Sequence, residues 1–351
     1  MNFSFIRRAA QHRLFWPWAM LALLLTINAT FNSNFLNMEW RDGHLYGSLI
    51  DILNRSAPLI LISLGMTLVI ATKGIDISVG AVVAISAALA AWMIGGSLVM
   101  NDGVATHVSR FPMSVAILAA LGIALLCGLW NGFLVAKVGM QPIIATLILM
   151  VAGRGVAQLI TDGQIITIYY APFLFIGSGY LLGLPFSLFI AAAVFVLLYL
   201  AMTRTALGLF IQAVGINPSA AHVAGVPART ITIWIYGFCG LCAGAAGLLV
   251  GSNIKSADAN NAGMLLELDA ILAVTLGGTS LMGGRFSLTG SVLGALIIQT
   301  LTYAIYSLGV PPEINLVVKA IVVFIVMLVQ SPEFRRSLRQ LARRRTGGLA
   351  P

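Results

Sequence analysis

The residue types that could do chemistry are few and scattered in this chain. Only 9% of its 351 residues are charged, and its four histidines stand far apart in the sequence. Cys239 and Cys242 have CxxC spacing, but a zinc or redox site needs further ligands or a redox fold around such a pair. We therefore expect no catalytic residues, no metal site and no enzymatic activity. The two cysteines are expected to pack as small residues on one helix face.

Isolated polar residues inside apolar stretches are more informative. Arg154 and Lys319 fall within hydrophobic runs, and an ionisable residue in such a place is a functional hypothesis by default. Gln158 lies one helical turn from Arg154 on the same face, so the two could hydrogen-bond a polar solute together. Snorkelling of Arg154 to the membrane surface is the alternative. Asn131 and Thr146 are further polar candidates for the interior of a helix bundle.

The composition requires lipid as the main solvent. Hydrophobic residues make up 59% of the chain and charged residues only 9%. A soluble protein carries about 25% charged residues. The runs without charge are long enough for helices of about 20 residues across a bilayer. We predict an all-α polytopic membrane protein of about ten transmembrane helices, one domain over 1–351 with its core at 50–330. The predicted spans are 14–38, 56–72, 77–95, 112–136, 141–160, 186–203, 230–250, 270–284, 286–308 and 314–331.

Basic residues set the expected orientation. With both termini in the cytoplasm, most Lys and Arg residues fall in cytoplasmic segments, as the positive-inside rule requires. The basic tail at 331–351 then lies against anionic lipid, and we expect no binding to nucleic acid. A re-entrant piece within 163–185 would change the helix count.

The longest predicted cytoplasmic loop, 204–229, is not a simple connection. It begins at Arg204 and ends at Arg229, and it reads as two short helices separated by a turn at Gly215. Asn217 is a plausible N-cap for the second helix, with a proline at the first helical position, and Gly225 ends that helix. Such a small-residue helix suits insertion into a groove on a partner protein. An interfacial helix lying on the bilayer is the alternative.

Two glycine-rich breaks interrupt the apolar pattern. The run TKGIDISVG places Gly74, Asp76 and Ser78 at an abrupt helix break. Asp76 there either caps the following helix or takes part in gating or partner contact. The run LGGTSLMGGRF allows close backbone packing and offers hydroxyls, and broken helices often edge the pathway of a transporter. Its residues of interest are Gly277, Gly278, Thr279, Ser280, Gly283 and Gly284.

Taken together, these stretches resemble one protein family. The loop carries the pattern G-x-N-x-x-A-A-x-x-A-G-V from Gly215 to Val226. It resembles the coupling loop of bacterial ABC sugar-import permeases of the ribose/xylose/galactose type. The stretches 65–86, 141–160 and 267–285 agree with this family in order, and the resemblance covers most of 50–330. Within the family, the chain is most similar to permease subunits of galactofuranose importers.

The resemblance implies an ATP-driven sugar importer in the bacterial inner membrane. Its expected partners are an ATP-binding cassette subunit, a second related permease in a heterodimer, and a periplasmic sugar-binding protein. The chain has no G-x-x-x-x-G-K-[ST] phosphate loop, so ATP and Mg²⁺ are expected on the partner subunit and no cofactor on this chain. The alternatives are a permease for another pentose, hexose or signalling sugar, or an ion-coupled secondary transporter. The latter needs more ionisable residues near the midplane than this sequence offers.

Expected roles follow from the residues themselves for the substrate path and the helix breaks, and from the resemblance for the coupling loop and the docking face. Coupling to the ATPase is expected at Arg204, Gly215, Asn217, Ala220, Ala221, Gly225, Val226 and Arg229. The substrate path is expected to include Asn131, Thr146, Arg154, Gln158, Thr279 and Ser280. Gating at the helix breaks is expected at Gly74, Asp76, Ser78, Gly277, Gly278, Gly283 and Gly284. The binding protein is expected to dock on the polar outer loop at Asp258, Asn260, Asn261, Glu267 and Asp269.

Overall fold

The structure is a computed structural model that describes residues 14–309, except 42, 96, 102 and 103, together with 311, 314, 316–321, 324 and 328. The predicted basic tail at 331–351 lies outside the described residues. The helices in chain order are α1 Phe15–Phe31, α2 Ser48–Ala71, α3 Val79–Ile94, α4 Met113–Phe133, α5 Pro142–Ile160, α6 Ala171–Ser178, α7 Phe186–Arg204, α8 Leu207–Ile216, α9 Pro218–Val223, α10 Ala228–Ile254, α11 Leu266–Leu276 and α12 Leu288–Ser307. A helical stretch follows at 316–321.

Short strand pairs join some of these helices, a detail that the all-α prediction did not include. Each pair is a two-stranded antiparallel sheet. The strands are β1 Glu39–Arg41, β2 His44–Tyr46, β3 Ser97–Asn101, β4 Val104–Val108, β5 Ile166–Thr167, β6 Tyr180–Leu181, β7 Leu184–Pro185 and β8 Ser256–Ala257.

Six helices of the described part are long and apolar enough to cross a membrane. They are Ser48–Ala71, Met113–Val138, Pro142–Ile160, Phe186–Arg204, Ala228–Ile254 and Leu288–Ser307. The second of these includes a π-helical turn, Leu134–Val138, that extends α4. The predicted span at 77–95 matches the shorter helix α3. The span predicted at 270–284 is only partly helical, because α11 begins at Leu266 and ends at Leu276, and the glycine-rich residues that follow form the α11–α12 connection. The span predicted at 56–72 begins earlier, at Ser48, because the helix continues through the charged residues at which the hydropathy pattern stops.

Burial separates a central layer from an outer ring. In α2, 83% of the apolar window is buried, and in α10 67%, whereas α4, α5 and α7 are only 17–22% buried. The outer helices therefore turn large apolar side chains away from the core, as lipid-facing helices must. Helix α3 is buried on nearly every side, so it lies inside the bundle although it is short.

Small residues allow the central helices to approach closely. A Cβ at Gly65 of α2 would lie 2.8 Å from the Cα of Cys239 in α10, and a Cβ at Gly128 of α4 would overlap the backbone of Tyr236. Cys239 and Cys242 are buried free thiols that pack against Gly65. Packing of the two cysteines on one helix face is therefore confirmed.

Two connections between helices, residues 163–185 and 258–265, bear on the expectation that a re-entrant piece lies within 163–185. Residues 163–185 form β5, the short helix α6 and the β6–β7 hairpin, and α6 is fixed to α10 by a hydrogen bond from the Gly177 amide to Ser252 Oγ (2.7 Å). The segment that turns back into the bundle is 258–265. Ala262 packs in one cluster with Ala84, Ile85 and Ala88 of α3, and Gly263 lies against the first turn of that helix. Helix α11 then begins within the bundle.

The contact at Gly65 gives a prediction about stability. The variant Gly65→Leu should lower the free energy of unfolding by about 1–3 kcal/mol, because overpacking forces the two central helices apart. The same change at Gly122 of α4 is the matched control, since nothing lies within 4 Å of a Cβ there. Thermal midpoints in detergent, followed by fluorescence size-exclusion, measure both. Equal midpoints in the two variants would contradict the close α2–α10 packing.

Candidate functional site

The predicted two-helix segment is present between α7 and α10. Asn217 precedes α9, and its Oδ1 accepts hydrogen bonds from the amides of Ser219 and Ala220, both at 3.1 Å. These bonds satisfy amides that the first turn of a helix leaves free. Gly225 follows α9 with φ of +84°, a conformation that favours glycine. Both the N-cap and the end of the helix are therefore confirmed.

The segment has a buried side and an exposed side. Val214, Ala221 and Ala228 form a small apolar cluster, partly covered by Val226. On the other side Leu209, Ile216 and Val223 are 69%, 66% and 89% exposed. Ala220, Arg204 and Arg229 are also exposed. An apolar group presented next to basic residues is typical of a protein-binding surface.

Three segments meet where α8 ends, and we call residues 71–73, 215–216 and 283–284 the three-segment junction. The Gly284 amide donates to the Ala71 carbonyl (2.8 Å), and Lys73 Nζ donates to the Ile216 carbonyl (2.9 Å). A Cβ at Gly215 would overlap the Ala71 carbonyl oxygen. The junction therefore ties the two-helix segment to the end of α2 and to the α11–α12 connection by backbone contact.

The break between α2 and α3 is held by a buried carboxylate. Asp76 is 1% exposed, and its Oδ1 accepts from the amide and hydroxyl of Ser78 at 3.0 and 2.6 Å. The same oxygen accepts from Asn131 Nδ2 at 3.4 Å, and that nitrogen donates to Ser78 Oγ at 2.8 Å. Ser78, not Asp76, is the N-cap residue of α3. Asp76 precedes the N-cap, and its hydrogen bonds to Ser78 fix the turn that leads into the helix.

Neighbouring helices complete this network. Thr146 Oγ1 of α5 accepts from the Ile77 amide (3.3 Å) and donates to the Pro142 carbonyl (2.9 Å). The Tyr236 hydroxyl of α10 lies 3.5 Å from the Ile75 carbonyl and against Gly74. Asn131 and Thr146, expected on the substrate path, are fully buried here. In this conformation they hold the helix break and do not line an open passage.

Arg154 and Gln158 bind the segment that returns along α3. Arg154 Nη1 donates to the carbonyls of Ala259 (3.1 Å) and Ala262 (2.6 Å), and Gln158 Nε2 donates to Asn260 Oδ1 (2.6 Å). Arg154 is half-buried and points at backbone oxygens, which differs from the snorkelling alternative. The pair thus fastens α5 to the 258–265 segment.

The expected docking residues separate into two groups. Asp258, Asn260 and Asn261 form a turn in which the two asparagines are exposed and Asp258 is half-buried, and Asn261 Nδ2 donates to Asp258 Oδ2 (2.7 Å). This hydrogen bond lowers the pKa of the Asp258 carboxyl. Glu267 is buried against Gly80, and Asp269 pairs with Lys319 at 2.6 Å. The expectation of an accessible surface is wrong for Glu267, because the chain has already returned into the bundle before α11, whereas Asp269 is only partly covered.

The α11–α12 connection uses its polar groups to close turns. Thr279 Oγ1 accepts from the Ser287 amide (3.2 Å), and Ser280 Oγ accepts from the Met282 amide (3.2 Å). Gly277 packs directly on the backbone of Gly290. Gly278, Gly283 and Gly284 all have positive φ, so these glycines serve backbone geometry in this conformation. Thr279 is buried and Ser280 exposed.

Lys73 and Tyr236 are the residues of this site that the sequence-based expectations missed. Lys73 has φ of +64°, an uncommon conformation for a residue with a side chain. Its position between a helix end and Gly74 was the available signal. Within the described residues, no group of three or more His, Cys, Asp or Glu side chains is placed to hold a metal.

The buried carboxylate gives a prediction that separates hydrogen bonding from charge. The variant Asp76→Leu leaves the amide and hydroxyl of Ser78 without their acceptor, while Asn131 Nδ2 keeps its hydrogen bond to Ser78 Oγ. Each unsatisfied buried group costs about 1–3 kcal/mol. We expect a large fall in the thermal midpoint for Asp76→Leu and a smaller one for Asp76→Asn, which keeps an acceptor oxygen. Equal midpoints for the two variants would show that the network does not hold the break.

Comparisons with known proteins place the chain in a family. A family profile described as the permease component of the branched-chain amino acid transport system matches residues 48–327. The galactofuranose transporter permease protein YtfT of Escherichia coli is 52% identical, covering 92% of this chain and 93% of that protein. The fructose import permease protein FruF of Bifidobacterium longum is 37% identical (97% and 94%). The ribose import permease protein RbsC of Bacillus subtilis is 38% identical (89% and 91%).

No solved structure matches the chain. The profile covers far more than half of the sequence, and each relative extends over nearly its whole length. The chain therefore belongs to this family of transport-system permease components.

Proposed function

We propose that the chain is the membrane-spanning subunit of an ATP-driven importer and that its substrate is a sugar, galactofuranose. The family description names branched-chain amino acids, but the relatives at 37–52% identity are named for sugars. The observation that carries the transport mechanism is the exposed apolar side of α8–α9, joined by backbone contact to two helix breaks. Such a segment is suited to binding a partner subunit and passing that partner's movement to the membrane helices.

In the proposed topology, ten spans cross the bacterial inner membrane and both termini are cytoplasmic. The direction of the helices supports it. Lys73 and Ile216 meet at the same end of the bundle, whereas Tyr303 meets Ser48 and β5 pairs with β8 at the other. Basic residues at the first end agree with a cytoplasmic assignment.

The proposed partners follow from the two ends. An ATP-binding cassette subunit, which carries ATP and Mg²⁺, docks on α8–α9. The turn of Asp258, Asn260 and Asn261 faces a periplasmic sugar-binding protein, and its charge steers the encounter more than it sets affinity. A second, related permease completes a heterodimer around the sugar path.

The proposed mechanism is movement through the three-segment junction. When the ATPase subunit pulls or pushes α8–α9, the contacts of Gly215 with Ala71 and Gly284 pass the displacement to α2 and to the α11–α12 connection. The break at 72–78 is then the hinge, because hydrogen bonds join it to α4, α5 and α10. Rearrangement of that network would open the sugar path at this break.

The direct test is purification of the chain from its native membranes. Gentle solubilisation, pull-down and mass spectrometry should recover a P-loop ATPase and a second permease. Reconstituted with the binding protein, the complex should take up a labelled sugar only when ATP is present. The panel is D-galactose, whose solutions contain furanose forms, D-ribose and D-fructose. A chain that purifies alone and transports without ATP would contradict the proposal.

The exposed side of α9 gives a matched pair of variants. Val223→Asp should remove most ATPase subunit from the purified complex and lower uptake at least tenfold, because a charge replaces an apolar contact. Val138→Asp is the control, since Val138 is 56% exposed near the same end of the bundle but lies outside α8–α9. Loss of the ATPase in both variants, or in neither, would argue against docking on this segment.

A further inference from the structure

A polar stripe runs along the last two turns of α12. Its members recur at positions i, i+3, i+4, i+7 and i+8, so they share one helix face. They are Gln299, Thr302, Tyr303, Tyr306 and Ser307. This stripe lines a cavity of about 490 Å³ at the end of the bundle opposite to the three-segment junction. None of these residues belongs to the network around Asp76.

The facing wall of the cavity is the first part of α2. Asp51 and Arg55 are one helical turn apart, and Arg55 Nε lies 3.0 Å from both carboxylate oxygens. Their side chains are 45% and 63% exposed. Charged side chains are rare against hydrocarbon and face water, protein or the headgroup level near helix ends. The exposed pair in the first two turns of α2 therefore indicates that this end of the cavity is open to a polar environment.

The chemistry of the two walls suits a neutral molecule rich in hydroxyl groups. Asp51 offers acceptors, Arg55 offers donors, and Gln299 offers both, while the opposite charges of Asp51 and Arg55 cancel. Tyr306 is 53% exposed and presents an aromatic ring to the apolar face of a ligand. Tyr303 is held in place by a hydrogen bond to Ser48 Oγ (2.7 Å) and by the Phe35 ring, 5.9 Å between centroids.

We propose that this cavity is a low-affinity binding site for a neutral monosaccharide at the entrance of the translocation path. The inference rests on the proposed function, and it names a substrate site that none of the sequence-predicted path residues provides. The volume falls in the range of small-molecule sites, about 300–1,000 Å³, and leaves room for water between sugar and protein. Weak contacts are what a transporter needs, because a tightly held sugar would not move on.

The test uses the complete importer with its ATPase, second permease and binding protein. Gln299→Leu and Tyr306→Ala should each raise the KM for sugar uptake at least fivefold and weaken direct binding of labelled D-galactose, D-ribose or D-fructose, measured by scintillation proximity at millimolar sugar. Gln164→Leu is the matched control, because Gln164 is exposed in another outer connection. The double swap Asp51→Arg with Arg55→Asp keeps an ion pair but moves the carboxylate, so it should also raise KM.

The possible results separate this site from the proposed function. If the wild-type complex binds a sugar through these residues but does not transport it, the site stands and the proposed function fails. If uptake is normal and KM is unchanged in all the cavity variants, the proposed function stands and the site is overturned. If the variants lose the second permease in native mass spectrometry while sugar binding by wild type is absent, the cavity is a subunit interface and the inference is overturned.

Discussion

The backbone contact of Gly215 with Ala71 and Gly284 is the constraint on which the rest of the structure depends. It brings a helix end, a glycine turn and an exposed two-helix segment within hydrogen-bonding distance. No side chain separates Gly215 from the Ala71 carbonyl, so under the proposed mechanism a displacement of α8–α9 passes to α2 through backbone contact. Close-packed protein interiors transmit strain. The hydrogen bond from Lys73 to the Ile216 carbonyl adds a side-chain contact to the three-segment junction.

Polar groups inside the bundle form hydrogen bonds that hold the breaks between its helices. Asp76 is bonded to donors from its own turn and from α4, and Arg154 of α5 holds the carbonyls of the returning 258–265 segment. Both arrangements satisfy groups that hydrocarbon could not. Asp76 and Arg154 thus act where the chain turns inside the bundle.

The parts of the site that depend on local sequence were predictable. The N-cap was predictable because Asn217 is followed directly by a proline, which is a local signal for a helix start. Gly225 likewise indicated the turn that ends the helix. Glu267 was misjudged because nothing in its own neighbourhood records that 258–265 packs along α3. Arg154 and Gln158 share a helix face as expected, but most of their partners are backbone carbonyls, which no side-chain pattern reveals. The start of α2 was missed because Asp51 and Arg55 interrupt the hydropathy pattern although the helix continues through them.

The most direct test of the account is whether the three-segment junction moves as one unit. Spin labels at Ile216 and Met282, which are 66% and 79% exposed, report the distance across the junction, and a label at Val138 reports its position relative to α4. In the complete complex, ATP and its removal should leave the 216–282 distance unchanged while the 216–138 distance shifts. A 216–282 distance that changes as much as the 216–138 distance, or a 216–138 distance that ignores nucleotide, would contradict the account.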